Sequence, residues 1–229
     1  MNSTMADLQR VIEQRRLELE RSPFIQGIER SSSVDGLRGF VPQLYFYVYA
    51  FQDVLRLSAE TITDPRLAAI ATNHRNEDAG HERWFGSDVV ALGCARDVEW
   101  VFGPEHSQTR DVAYALVAEV LHADDDRLRL VVPLVLEAAG SVFFFRVIDL
   151  LERAGFDRPL HYFARHHQDV EASHDIFSDA TGGELEAIEF EPAIYERAVG
   201  IVNRSFDRMM TFADSLERHR SGGEDARRA

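Results

Sequence analysis

Lysine is absent from the 229-residue sequence; every one of the 25 basic residues other than histidine is arginine. Without a lysine amine no Schiff base can form, which excludes pyridoxal-phosphate chemistry and class I aldolase chemistry. Cysteine is nearly absent as well. Cys94 stands alone, so neither an internal disulfide nor a cysteine-based metal site can be built, and a cytoplasmic setting is expected. Basic charge is scarce: 39 acidic residues give a net charge of -14. That balance disfavours nucleic acid and anionic membranes as partners. No window reads as a signal peptide or as an apolar span of about 18 residues. Strand signals are almost missing too; "VEWVF" at 98–102 is the only short candidate.

What remains is helical. Apolar residues make up 45% of the chain, enough for one full-sized core. The 3.6-residue periodicity predicts helices over about Ser3–Arg21, Leu37–Glu60, Pro65–Leu92, Thr109–His122, Asp125–Ala154, Pro159 to just before Gly182, and Pro192–Arg218. Asp64-Pro65 is a cap followed by proline at the first helical position, and Gly93 and Gly155 serve as stops. The expected fold is an all-α, single-domain bundle of about seven helices over residues 1–220. The tail "SGGEDARRA" (221–229) has the composition of a disordered segment.

The polar residues that fall on apolar seams carry the chemistry. In "HHQDVEASHDIF" (166–177), a helical step of about 100° puts Glu171 roughly 40° and His174 roughly 20° from His167. Leu160, Phe163, Val170 and Phe177 share that stripe, whereas His166, Gln168, Asp169 and Asp175 fall to the sides. On the Pro65 helix, Leu67, Ile70, His74, Glu77, His81 and Phe85 share a face, with Asp78 at its flank. Glu77 and His81, four apart, can converge on one ion. On the Asp125 helix, Glu137 is the one charged seam member, and Gly140 one turn later weakens the helix. A lone seam histidine is more often a hydrogen-bonded core residue than a ligand. Burying an unpaired charge costs roughly several kcal/mol, so six such groups on converging seams call for a compensating centre. A pair of Fe(II) ions suits three imidazoles and three carboxylates.

On these residues the chain resembles the heme-oxygenase-like diiron oxidases and oxygenases over about residues 30–215. The likeness rests on "NEDAGHERWF", "PLVLEAAG" and "HQDVEASH". It implies a seven-helix fold of the heme oxygenase type and six metal ligands: Glu77, His81, Glu137, His167, Glu171 and His174. It departs in two places. The third motif of the family often has Asp where Glu171 stands. The interval between the first Glu and His is often longer than four, which would let His74 replace Glu77. Haem oxygenase itself fits in fold only, because its haem-ligating histidine lies on the first helix and the first histidine here is His74. Thiaminase-like chemistry needs a cysteine nucleophile, and Cys94 lies beyond the helical face described.

The resemblance implies two Fe(II) per chain, O2 as co-substrate, and oxidation of a small organic molecule derived from an amino acid, an amine or a fatty acid. A homodimer is compatible with this reading. The alternatives are a metal-free pocket enzyme or small-molecule-binding protein on the same fold, and an interaction protein with a structural metal. Arg146 and Arg165 point away from their seams by helical phase and are not substrate anchors. Tyr47, among Phe40, Leu44, Phe51 and Val54, can line a pocket, though a core tyrosine with a bonded hydroxyl is the simpler reading.

Overall fold

The structure, a computed structural model, describes residues 2–167 and 182–225. It is all-α but for one minimal strand pair: β1 (Ser3–Thr4) runs antiparallel to β2 (Glu189–Phe190). The pairing ties the start of the chain to the start of its last helix. The short strand candidate "VEWVF" is instead α7 (Val98–Val101), a single helical turn capped by Asp97, which accepts from Trp100 N at 2.8 Å.

The helices before it are α1 (Met5–Glu20), α2 (Pro23–Arg30), α3 (Asp35–Phe40), α4 (Tyr45–Thr61), α5 (Pro65–Asp78) and α6 (His81–Ala91). After it come α8 (Ser107–His122), α9 (Asp126–Arg129), α10 (Val131–Arg153), α11 (Gly182–Glu186) and α12 (Pro192–Asp225). Local chemistry accounts for several boundaries. The Asp7 carboxylate accepts from the Thr4 N–H at 2.8 Å and opens α1. Asp64 accepts from Arg66 N and Leu67 N at 2.9 and 3.0 Å, with Pro65 next to it, and opens α5.

Four sequence expectations need correction. The helix expected over Leu37–Glu60 is divided by a 3₁₀ turn at Val41–Leu44, because Pro42 has no N–H for the helical ladder. The helix expected over Pro65–Leu92 is divided at Ala79-Gly80. Pro159 starts no helix: residues 156–164 are irregular and helix resumes at 165. Finally, α12 runs through residues 221–225 of the supposed tail, and Ser221 Oγ donates back to the Glu217 carbonyl at 2.8 Å.

The core is one apolar cluster whose largest fully buried side chains include Phe40, Phe85, Phe190 and Phe206. Helix α10 runs through it, packed against α1, α2, α4 and α12. By length and composition, residues 126–153 would suffice to cross a membrane, contrary to the reading of the sequence. The reason is its central position: a helix apolar nearly all round suits a protein core as well as a bilayer, and 56% of its most apolar window is buried inside the protein.

Candidate metal centre

The break between α5 and α6 shapes the site. Ala79 is extended, and Gly80 takes φ +98°, a left-handed conformation that glycine adopts without the Cβ penalty. The helical phase relating Glu77 to His81 is lost across this kink. Glu77, expected on the inward face, is exposed. Asp78, expected at the flank, is buried at 7% exposure beside His81 at 5%.

Asp78 and His81 are held from several sides. Gln52 Nε2 donates to Asp78 Oδ2. Asp78 Oδ1 lies 2.8 Å from His81 Nδ1, and His167 Nε2 lies 3.1 Å from that same nitrogen. The Trp84 ring stacks on His81 with centroids 4.5 Å apart. His167 Nδ1 lies 2.7 Å from the Tyr162 carbonyl. A carbonyl only accepts, so Nδ1 carries the proton and a neutral His167 keeps its lone pair on Nε2. This is the tautomer a metal ligand needs, fixed by an outer partner.

The fourth group comes from α10. Glu137 Oε1 lies 2.7 Å from His74 Nε2 on α5. Glu137, Asp78, His81, Glu82 and His167 line one cavity of about 100 Å³. Its described lining does not include His74, which orients Glu137 from behind. The remaining wall is chiefly apolar, including Phe51, Phe143, Phe144 and Phe212. Tyr47 lines it too, its hydroxyl donating to Met209 Sδ at 3.5 Å. Burial, and secondarily the Glu137 carboxylate, push the Tyr47 phenol well above its usual range. Gly140 also faces the cavity, and α10 passes through it without a break.

The irregular segment before His167 is pinned by Asp88, a residue the sequence reading passed over. Its carboxylate accepts from His161 N at 2.9 Å and from Phe163 N at 2.8 Å. Asp88 is 1% exposed; burial raises its pKa against the opposing pull of the backbone amides. Leu160 and Phe163 therefore do not form a helical stripe with His167, though Phe163 and His167 are both buried. His166 is exposed. Glu171 and His174 lie outside the described residues. Arg146 pairs with Glu20 and Glu29, and Arg165 with Glu152. Cys94 is buried, and that burial pushes its thiol up to about 11, so it is no thiolate nucleophile.

The donors suit iron by their chemistry. Two imidazoles with a carboxylate are the set that non-haem Fe(II) favours. Among the described residues no three such groups already surround a common metal position. Asp78 was legible only as a flank residue. An Ala-Gly pair just after Asn76-Glu77-Asp78 was the available sign of a helix end.

The helical bundle thus brings imidazoles and carboxylates to the wall of one largely apolar cavity. The chain belongs to the family of iron-containing redox enzymes, whose model matches residues 38–199. In fold it is similar to a crystal structure from Shewanella denitrificans OS217, described as a domain of unknown function with a heme oxygenase-like fold. That likeness has a TM-score of 0.65 at 18% identity and covers 92% of this chain and 90% of the other. No curated protein matches the sequence.

Proposed function

We propose that the protein is an O2-activating non-haem diiron oxidase or oxygenase acting on a small organic substrate. The observation that carries this reading is the approach of Asp78 Oδ1 and His167 Nε2 to His81 Nδ1, at 2.8 and 3.1 Å, on the wall of an apolar cavity. Asp78, His81, His167 and Glu137 would hold metal. The family resemblance adds Glu171 and His174 to complete two positions. Bound iron supplies the electrons that reduce O2 and the oxidising power that reaches the substrate.

The chain's own residues have separate tasks. The Tyr162 carbonyl keeps the proton on His167 Nδ1 and so keeps Nε2 available. His81 must carry its proton on Nε2 for Nδ1 to bind an ion, and because protons compete with metal for imidazole and carboxylate ligands, uptake weakens toward acid pH. His74 holds the Glu137 carboxylate. Phe51, Phe143, Phe144 and Phe212 limit water and surround the substrate.

Anaerobic Fe(II) titration tests the proposal, with about two irons per chain expected. Loaded protein should then consume O2. Failure to bind iron favours the metal-free pocket reading. Binding without O2 consumption favours a structural metal.

A further inference from the structure

Among the described residues, seven large apolar side chains are about half exposed, and six of them gather on one face. Phe46 of α4 lies at its centre. Its ring meets that of Phe102, just beyond α7, at 5.7 Å and that of Tyr114, on α8, at 5.2 Å. Val98 stands one turn before Phe102, and Leu121 two turns after Tyr114 on the same side of α8. Tyr49, three residues beyond Phe46, brings its hydroxyl against Gly86 of α6, where an added Cβ would lie 3.2 Å from it. Val90 follows Gly86 by one turn. The seventh side chain, Phe145, is on α10, under the Arg146 that pairs with Glu20 and Glu29.

An apolar face of this size calls for a cover. Six side chains, each about half exposed, present on the order of 600 Å² to water. A stable homodimer covers roughly 800 Å² on each partner, about 65% of it apolar, so the face supplies what one needs. Its border is evenly charged. The exposed Arg83 and Arg110, whose guanidinium lies over the Phe102 ring, stand there with the exposed Asp53 and Asp111. Across a two-fold axis the arginines of one copy can face the aspartates of the other. A macromolecule of one sign finds no such match, and the net charge of -14 repels an acidic one.

We infer that this face pairs with its equivalent on a second copy of the chain, in a two-fold dimer with Phe102 and Tyr114 at the centre of the contact. The inference goes beyond the iron reading and does not depend on it. The face is the outer side of α4; other positions of that helix, Tyr47 and Phe51, line the cavity.

Sedimentation velocity of the full chain, from about 1 to about 100 µM, tests it and should show a species of two chains. Phe102→Glu should raise the dimer dissociation constant about thirtyfold or more, because aromatic residues at the centre of a contact dominate its energy. Tyr114→Glu should act alike and replaces Phe102→Glu if circular dichroism shows that variant unfolded. Phe145→Glu, similarly exposed but outside the face, should leave the dimer intact. In the parent, which needs no variant, amide exchange over residues 98–102 and 114–121 should slow as the dimer forms. A monomeric parent throughout that range overturns the inference. So does a dimer that survives both glutamates, one that Phe145→Glu dissolves, or exchange that slows on a different face.

Discussion

Two buried histidine clusters in this molecule look alike at first. His81 stacks on Trp84 at 4.5 Å, and His106 on Trp100 at 3.7 Å. His81 is 5% exposed and His106 8%. Their neighbours differ. His81 Nδ1 faces the buried Asp78 carboxylate and His167 beside a cavity. His106 Nδ1 faces the neutral amide oxygen of Gln43 at 3.0 Å, and the nearest acid, Glu105, is 62% exposed and 3.6 Å from Nε2. Burial pulls the His106 pKa down, with Glu105 opposing and Arg110 and Arg96 assisting. It is a histidine kept neutral by packing. Burial and stacking alone therefore do not mark a ligand; buried anionic partners and a space beside them do.

The sharpest way to break that contrast is to remove each ring. His81→Ala or His167→Ala should weaken Fe(II) binding by more than about a hundredfold, whereas His106→Ala should leave stoichiometry unchanged. Loss of iron in His106→Ala, read by anaerobic titration, would erase the distinction. Next in size is Asp88→Ala. It strips the acceptor from His161 N and Phe163 N, and urea unfolding should show a loss of roughly 2–4 kcal/mol. Iron affinity should fall with it, because the segment leading to His167 is released. Gly80→Ala meets no atom within 4 Å, so its cost comes from φ +98° alone. About 1–2 kcal/mol is expected, together with weaker iron binding as the Asp78–His81 geometry shifts.

The pH dependence sharpens the other cluster. His106 and His219 are both lowered from 6.5, chiefly by burial. The unfolded chain thus takes up protons near pH 6.5 that the folded protein refuses. Their contribution to stability is complete above that pH and lost as pH falls below it. Thermal midpoints from pH 7.5 to 5.5 should decline, and His106→Gln should flatten the decline. A slope unchanged by that substitution would remove His106 from the account. The smallest effects belong to the surface. Glu77→Ala and His166→Ala, both exposed, should stay within about 0.5 kcal/mol of the parent and bind iron normally.

Much of this was legible in the chain. The apolar period identified the helical class, and the Asp64-Pro65 start of α5 was visible as a cap. His81, Glu137 and His167 stood out because each interrupts an apolar seam, and all three line the cavity. Glu77 misled because phase arithmetic assumes an unbroken helix, and Ala79-Gly80 breaks it. Asp88 gave no periodic signal; it acquires its role from a segment distant in sequence. The expected helix from Pro159 failed for a related reason. Asp88 satisfies the backbone amides of residues 161 and 163, so that segment needs no helical ladder.

By itself the sequence determined the absence of lysine chemistry and of an internal disulfide, the helical build and the supply of imidazoles and carboxylates. Composition and periodicity are properties of neighbours along the chain. Tertiary structure alone decided that Asp78 turns inward and Glu77 outward, and that Asp88 fixes the approach to His167. Each depends on a kink, or on a contact between distant segments, and helical spacing carries no record of either.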